Sequence, residues 1–357
     1  DSEILGAVTE KAEITFNDEC DNIIVNGVWQ SKTDSITELV YGALPDGILV
    51  NYYGSKASVV NPYFLQGVGA SINNADVVID NSNTSYEIKT SLSGETSDGQ
   101  FLYNGTYKTT IELDGVSLTN TRGAAIDIQC GKRVALNLKK GTENSVTDGK
   151  NGTQKAALYC KGHLEIGGGG TLNISGNARH AISTKEYLKI KKDAGVLQIK
   201  KSSGDAIHAG QYFQMNGGTL NISGMEGDGI QAEMTKNRMD EYNGQLFITG
   251  GTLNMTVAAD DTKGLKSDRD LTISGGKVRI EVKGAGSKGI SCGNNMTVNE
   301  STAPTDILIT AAGGVYVNPE DKTDTVKCTG IKVDRNLTIS AGKVTVKGAD
   351  QVVFGSA

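Results

Sequence analysis

The tetrapeptide Ala206-Ile207-His208-Ala209 decides the fold of this chain, because near-copies of it recur along the sequence. Each copy begins with a small residue followed by an aliphatic one. The other seven copies are Ala125-Ile126-Asp127-Ile128, Ala157-Leu158-Tyr159-Cys160, Ala181-Ile182-Ser183-Thr184, Gly229-Ile230-Gln231-Ala232, Gly264-Leu265-Lys266-Ser267, Gly289-Ile290-Ser291-Cys292 and Gly330-Ile331-Lys332-Val333. Successive aliphatic residues are 32, 24, 25, 23, 35, 25 and 41 residues apart, so the base period is 23 to 25 residues with three longer intervals. A repeat of this length is typical of a solenoid.

Each repeat unit also contains two alternating pairs of apolar residues, such as Leu188 and Ile190, then Leu197 and Ile199. Alternation with a period of two predicts short, half-buried strands, and glycines between the pairs supply bends. Three strands without helical periodicity describe one coil of a parallel β-helix. One coil cannot bury its own apolar face, so stacked coils share a core. We therefore predict an all-β fold, a right-handed single-stranded parallel β-helix.

The alternation also assigns the faces of the strand that carries the tetrapeptide. Ile207 and Ala209 point inward, whereas His208 between them points outward. The equivalent outward residues form a polar row: Asp127, Tyr159, Ser183, His208, Gln231, Lys266, Ser291 and Lys332. Such a row suits an extended polymer, because each coil offers an equivalent position along one axis. The candidate carbohydrate-binding residues in this row are Tyr159, His208, Gln231, Lys266 and Lys332.

Lysines are concentrated in the later repeat units, at positions 263, 266, 288 and 332. One interpretation is a solvated row of charges, and the other is a strip that contacts the carboxylates of an acidic sugar polymer. Cleavage of such a polymer by β-elimination would need a base near the proton on sugar carbon 5. Lys263 and Lys266 are the candidate bases for that reaction.

Two aspartates occupy the same position in consecutive repeat units: Asp205 and Asp228 each precede the inward aliphatic residue by two positions. Stacked coils would bring the two carboxylates within ~5 Å, where like charges need neutralisation. Asp260 and Asp261 lie just before the next unit. Clustered carboxylate oxygens suit Ca²⁺, so the four aspartates are a candidate calcium site. The alternative is a set of exposed turn carboxylates, partly screened by Lys263.

Composition narrows the function further. A formal net charge of −6 argues against nucleic-acid binding, and no apolar run approaches the ~20 residues of a membrane-spanning helix. The five cysteines include no C-x-x-C pair, so a zinc–thiolate site is not indicated. Three histidines without a G-x-S-x-G segment give little support to Ser-His-Asp catalysis. The chain starts at Asp1, from which we expect a processed N-terminus.

Residues 1–100 do not follow the repeat, and we interpret them as an irregular N-terminal cap with the first turns, before a β-helix at 101–357. A solenoid end exposes unpaired backbone groups and needs a cap. This region is rich in aromatic residues, so a platform for sugar rings is the alternative. The aromatic residues considered are Trp29, Tyr41, Tyr52, Tyr53 and Tyr63.

Several segments together resemble a known family. They are Gly204-Asp205-Ala206-Ile207-His208-Ala209, Gly227-Asp228-Gly229-Ile230-Gln231-Ala232, Leu246-Phe247-Ile248-Thr249-Gly250-Gly251-Thr252-Leu253, and the lead-in Ile111-Glu112-Leu113-Asp114-Gly115-Val116-Ser117-Leu118-Thr119-Asn120 with Gly123-Ala124-Ala125-Ile126. In these motifs the chain resembles the bacterial polysaccharide-binding β-helix family over about residues 75–350.

The resemblance implies a fold related to pectate lyases, export from the cell, bound calcium, and binding of plant-type polysaccharide without established lyase activity. It implies Asp205 and Asp228 as calcium ligands, with Asp260 and Asp261 added by proximity. Later units carry Lys263, Lys288 and Thr329 where that aspartate would stand, so fewer calcium sites are implied there. The first 70 residues are not explained by the family.

We therefore expect a monomeric, calcium-containing β-helix, secreted or held at a bacterial cell surface, that binds plant-type or acidic polysaccharide without catalysis. The alternative is a calcium-dependent polysaccharide lyase that acts by β-elimination with a lysine base. A solenoid with a purely structural or adhesive role, in contact with protein, is the third hypothesis.

Overall fold

A computed structural model describes residues 45–355 and, before them, the backbone of four short strands. Those strands are Glu3–Gly6, Ile14–Phe16, Ile23–Val25 and Val28–Trp29. The last three pair as a small antiparallel sheet, and Glu3–Gly6 pairs with Lys56–Asn61 in parallel. The side chain of Trp29 and the whole of Tyr41 lie outside the described residues, so the N-terminal aromatic platform stays a prediction.

The strand that carries the repeated tetrapeptide recurs in coil after coil and forms one sheet, here called the front sheet. In the described part of the chain it has twelve strands, and all but the first run parallel to their neighbours. Its strands are Gly69–Asn73, Asp76–Asn81, Gln100–Gly105, Ile126–Cys130, Ala156–Cys160, His180–Thr184, Ile207–Ala209, Ile230–Ala232, Lys263–Ser267, Lys288–Cys292, Thr329–Val333 and Gln351–Gly355.

The other two strands of each coil join a second sheet that wraps around the remaining sides, here called the back sheet. It has 21 strands among the residues described. In chain order they are Glu3–Gly6, Ile48–Tyr53, Lys56–Asn61, Ile88–Thr96, Thr109–Asn120, Val134–Leu138, Glu143–Asp148, Leu164–Gly167, Thr171–Gly176, Leu188–Ile190, Val196–Ser202, Tyr212–Met215, Thr219–Ile222, Gln245–Ile248, Thr252–Val257, Leu271–Ile273, Gly276–Val282, Met296–Val298, Thr305–Ala311, Leu337–Ile339 and Lys343–Lys347.

The two sheets enclose one continuous apolar core, and the chain forms a parallel β-solenoid of about 11 turns. The predicted all-β parallel β-helix is confirmed. Parallel pairing already joins Asp76–Asn81 to Gln100–Gly105, and the division of the chain at residue 100 stays a prediction. The described residues contain one helical segment, the 3₁₀ turn Phe64–Gln66, and no helix that could cross a membrane. A hairpin of Tyr316–Val317 and Thr325–Val326 lies in the longest interval of the repeat, between Ile290 and Ile331.

The aliphatic column predicted from the repeat is a column of paired residues in the front sheet. Ile182 pairs with Ile207, Ile207 with Ile230, and Ile230 with Leu265, and each is fully buried. Residues two positions further on, such as Ala209 and Cys292, are buried as well. The predicted alternation of faces is therefore present, because the strand period of two is kept in register from coil to coil.

The small residue that opens each tetrapeptide is explained by the strand on the opposite side of the core. A Cβ atom placed on Gly229 would lie 2.4 Å from Met255 Sδ, and one on Gly330 would lie 2.2 Å from Val346 Cγ1. A Cβ on Gly289 would lie 2.7 Å from Ile309 Cγ2. The small residue therefore leaves room for a large side chain of the back sheet.

Replacing Gly229 by alanine tests this packing. Gly229→Ala is expected to lower the free energy of unfolding by about 1–3 kcal/mol, because the added methyl overpacks the core. Gly131→Ala is the matched control, since a Cβ there meets no atom within 4 Å. Denaturant unfolding measures both, and equal stability of the two variants would contradict the packing argument.

Candidate functional site

The outward row of the front sheet runs in register across the coils. Tyr159, Ser183 and His208 follow one another as paired residues, and the row continues through Gln231 and Lys266 to Ser291 and Lys332. The row is not uniformly open to solvent, because Tyr159 is only 5% exposed. The other four candidate carbohydrate-binding residues are half-buried, so they offer their polar ends but little flat surface.

Beside this row, the structure places the two predicted aspartates in contact across consecutive coils. The N–H of Asp228 donates to Asp205 Oδ1 at 2.8 Å, and the N–H of Lys263 donates to Asp228 Oδ1 at 2.9 Å. Each carboxylate thus accepts a hydrogen bond from the next coil. The like charges are separated in this way, because each Oδ1 atom faces an N–H rather than the other carboxylate.

The second oxygen of each aspartate contacts a residue of the outward row, in the same coil for Asp205 and in the next coil for Asp228. Asp205 Oδ2 lies 3.0 Å from His208 Nδ1, and Asp228 Oδ2 lies 2.9 Å from Lys266 Nζ. Burial alone would raise the pKa of Asp205, but the hydrogen bonds from His208 and the Asp228 N–H hold it below its ordinary value. Burial would lower the pKa of Lys266, but the Asp228 carboxylate raises it. The first contact favours the charged form of Asp205, and the second favours the charged form of Lys266.

Asp260 and Asp261 lie one coil further along and have separate partners. Asp260 Oδ1 accepts the N–H of Ala285 at 2.7 Å, and Asp261 Oδ1 lies 3.3 Å from Lys263 Nζ. Ca²⁺ prefers six to eight oxygen ligands. The four aspartates instead have amide and ammonium partners, so an ion shared by Asp205 and Asp228 would have to displace Lys266 or His208. The carboxylate oxygens are of the type that calcium binds, but each already has a partner, and calcium binding there stays a prediction.

Two lysines share the carboxylate of Asp261. Its Oδ1 atom lies 3.3 Å from Lys263 Nζ and 3.8 Å from Lys288 Nζ. Burial and then repulsion from Lys263 lower the pKa of Lys288, and Lys332 adds to the effect. Lys263 and Lys288 therefore share one carboxylate as an ion-pair partner, whereas Lys266 and Lys332 pair with Asp228 and Asp334.

Two histidines meet at the other end of the same column. The rings of His180 and His208 stack with centroids 4.7 Å apart and planes 24° from parallel. The N–H of Asp205 donates to His180 Nδ1 at 3.1 Å, and burial lowers the pKa of His180 to about 4. The sequence did not reveal this contact, because His180 stands at the register position of Asp205 whereas His208 belongs to the outward row. The available signal was that His180, like Asp205, stands two positions before its inward aliphatic residue.

A ladder of aromatic rings follows the corner between the front and back sheets. Tyr187 stacks on Tyr212 with centroids 4.8 Å apart, and Tyr212 meets Tyr242 and Phe247 edge-on. Tyr242 belongs to the insertion after Ala232, and its side chain is 47% exposed. Tyr242 is therefore the ring of this ladder that is open to solvent.

A shallow groove on the back sheet is a further surface that the sequence did not indicate. It encloses about 440 Å³ and is lined by polar side chains that include Asn221, Asn254, Arg279 and Glu281. Asn254 Nδ2 donates to Asn221 Oδ1 at 2.9 Å. Amide, guanidinium and carboxylate groups in a row can donate to and accept from hydroxyl groups.

A family of known proteins shares this architecture. Residues 73–357 match the family model described as carbohydrate-binding domain-containing protein. The chain belongs to this family. A carbohydrate-binding domain-containing protein of Acetivibrio thermocellus is 31% identical over 109 residues. That alignment covers 28% of this chain and only 38% of the relative.

A solved structure shares the fold. It is a polysaccharide lyase-like protein from C. thermocellum, solved as a gadolinium derivative, with a TM-score of 0.61 and 24% sequence identity. The match covers 72% of this chain and 98% of that one. The carbohydrate-binding family has therefore been recognised correctly from the repeat motifs, and the fold is that of a polysaccharide lyase-like solenoid.

The buried partner of Lys266 makes a stability test possible within the outward row. Lys266→Met is expected to lower the free energy of unfolding by about 1–2 kcal/mol, because Asp228, whose side chain is 10% exposed, loses its cation. Solvent screening limits the effect, since Lys266 itself is 34% exposed.

Lys332→Met is the matched control for this test. Lys332 pairs with Asp334 at 3.1 Å, but the Asp334 side chain is 42% exposed, so little change is expected. Urea unfolding at pH 7 compares the two variants. A larger loss for Lys332→Met than for Lys266→Met would show that burial of the carboxylate does not decide the cost.

Proposed function

We propose that this chain is a carbohydrate-binding β-helix that holds an acidic polysaccharide along the lysine-bearing end of the front sheet. The observation that carries the proposal is the shared carboxylate of Asp261, which contacts both Lys263 and Lys288. A uronate carboxylate placed beside these lysines would be a second negatively charged partner, so that the two ammonium groups would no longer share one carboxylate. The family match supports carbohydrate as the ligand class.

The spacing of the lysines supports a polymer rather than a single sugar. Lys263 and Lys288 are paired residues in consecutive coils, and Lys332 lies in the coil after that. Consecutive coils are ~4.8 Å apart, so Lys263 and Lys288 follow each other along the axis, and Lys332 adds a charge in the next coil three residues beyond the register position held by Thr329. A chain of uronates laid along the axis could contact several coils, and each added contact would increase the affinity.

Three further elements belong to this proposal and rest on the family resemblance. They are export to the outside of the cell or to its surface, bound calcium, and the absence of catalysis. Calcium is the weakest of them in terms of fit, because the aspartates named for it have amide, histidine and lysine partners. Isothermal calorimetry of the metal-free protein titrated with calcium tests calcium binding separately from glycan binding.

A second candidate function is a polysaccharide lyase, and one observation favours it. The pKa of Lys288 is lowered by burial and by Lys263, and a lysine with a lowered pKa is a better base at neutral pH. Of the two bases suggested by the sequence, Lys266 is the less suitable, because its contact with Asp228 raises its pKa. The structure thus favours Lys288 over Lys266 as the base.

Binding to soluble polyuronate tests the proposed function. The double variant Lys263→Gln/Lys288→Gln is expected to bind roughly ten- to a hundredfold more weakly, because two charge-assisted contacts are lost. Lys283→Gln is the control, since Lys283 pairs with Glu281 at the back-sheet groove and its loss leaves Lys263 and Lys288 intact. Affinity electrophoresis at two salt concentrations measures both, with a neutral glucan as the second ligand.

The outcomes of this binding test separate the alternatives. Weak binding of the wild type to polyuronate, with strong binding to the neutral glucan, would contradict the acidic ligand and direct attention to the back-sheet groove. A rise in ultraviolet absorbance on incubation with polyuronate, lost in Lys288→Gln, would replace the binding role with a lyase. Unchanged polyuronate affinity in the double variant would exclude the lysine strip as the binding face.

A further inference from the structure

The histidine end of the front-sheet column has a different chemistry from the lysine end. His180, Asp205 and His208 come from two consecutive coils, and their side chains are 4%, 13% and 16% exposed. Each offers one ligand atom, and these atoms all lie within 4.8 Å of one another. No other group of three or more histidine, cysteine or carboxylate side chains in the described part of the chain meets that distance.

The distances among the three ligand atoms suit a small divalent ion. Asp205 Oδ2 lies 3.4 Å from His180 Nδ1 and 3.0 Å from His208 Nδ1. Zinc binds nitrogen and oxygen at about 2.0–2.2 Å in a tetrahedron, which places neighbouring ligand atoms ~3.3 Å apart. The two measured separations lie on either side of that value, and the third, between the ligand atoms of the two histidines, is at most 4.8 Å, so zinc binding requires the two imidazoles to turn toward a common point.

The hydrogen bonds around the cluster show which acceptor atoms a metal would take over. His180 Nδ1 accepts the N–H of Asp205, so this nitrogen carries no proton, and Asp205 Oδ2 faces it as a second acceptor. Two acceptors 3.4 Å apart repel each other unless a cation lies between them. Metal binding would use the lone pair of His180 Nδ1, and the Asp205 N–H would lose this acceptor.

The outer contacts hold two of the ligands in the orientation that a metal needs. His208 Nε2 lies 3.0 Å from Glu233 Oε2, and Asp205 Oδ1 accepts the N–H of Asp228. A histidine that donates one ring N–H to a carboxylate presents its other nitrogen to a metal, and a metal at His208 Nδ1 would replace the proton that this nitrogen donates to Asp205. Glu233 is itself held in place, because its N–H donates to the carbonyl of Ala209.

We propose that His180, Asp205 and His208 form a site for Zn²⁺ or a similar divalent transition metal, with Glu233 as the outer-shell partner of His208. Two imidazoles and one carboxylate favour zinc over calcium, which prefers oxygen ligands alone. The carboxylates of Asp205 and Glu233 supply two negative charges against the two charges of the ion. Three protein ligands leave a fourth position for water.

Zinc titration of the metal-free, untagged protein tests the site. Isothermal calorimetry is expected to show one zinc ion per chain, and Co²⁺ is expected to give the visible absorption bands of a four- or five-coordinate site. The titration uses the Cys20→Ser variant under reducing conditions, so that the thiol of Cys20, which lies outside the described residues, cannot bind zinc. The other four cysteines are buried and need no substitution. Loss of saturable zinc binding in that variant would overturn the proposal.

Variants of the cluster identify the ligands. His180→Gln and His208→Gln are each expected to weaken zinc binding by more than the roughly 10- to 100-fold expected for Glu233→Ala, which removes an outer-shell partner. His163→Gln is the matched control, since His163 pairs with Glu186 away from the cluster and should bind zinc like the wild type. Asp228→Asn should also retain zinc, which separates this site from the calcium prediction.

Two results would contradict the assignment of ligands. One is that His163→Gln weakens zinc binding as much as His180→Gln does. The other is that His180→Gln binds zinc and gives the cobalt spectrum of the wild type. Should His180→Gln fail to fold, as circular dichroism would show, Glu233→Ala decides instead, because Glu233 is 51% exposed and its loss should not affect folding. Unchanged zinc affinity in folded Glu233→Ala would overturn the proposal.

Discussion

The constraint on which the rest of the structure depends is the register of backbone hydrogen bonds between consecutive coils. Ile207 pairs with Ile182 before it and Ile230 after it, and His208 and Ala209 keep the same register with both neighbouring coils. Once that register is fixed, equivalent side chains of all coils stack at the strand spacing of ~4.8 Å. A slip of one residue would turn every aliphatic side chain of a coil toward solvent, so burial of the core enforces the register.

The same register would stack like charges above one another, and each stacked aspartate avoids this repulsion by contacting an N–H with one oxygen and a side chain with the other. Identical carboxylates in neighbouring coils would repel each other at this spacing. Asp205 and Asp228 avoid the repulsion because one oxygen of each accepts an N–H from the next coil and the other contacts a side chain of the outward row. The column then changes character along the axis, from His180 through the aspartates to Lys263 and Lys288.

This gradient gives the front sheet two chemically different ends on one rigid scaffold. At one end, imidazole nitrogens and a carboxylate oxygen converge, which suits a divalent metal. At the other, two ammonium groups share one carboxylate, which suits an acidic ligand. The insertion after Ala232 reaches the histidine end through Glu233, which lies next to His208, and it adds Tyr242 to the aromatic ladder. The solenoid needs no closed pocket for either role, because stacking alone brings the groups together.

The sequence by itself determined the solenoid, the aliphatic column and the alternation of faces, because these depend only on period and on burial of apolar side chains. It also indicated that Asp205 and Asp228 stand at equivalent positions, as the repeat count requires. Only the tertiary structure decided which atoms meet. The hydrogen bonds of each carboxylate, the stacking of His180 on His208 and the groove beside Arg279 depend on rotamers and on contacts between different coils, about which periodicity carries no information. The buried state of Tyr159 was likewise decided by its surroundings, since alternation gives the direction of a side chain but not what covers it.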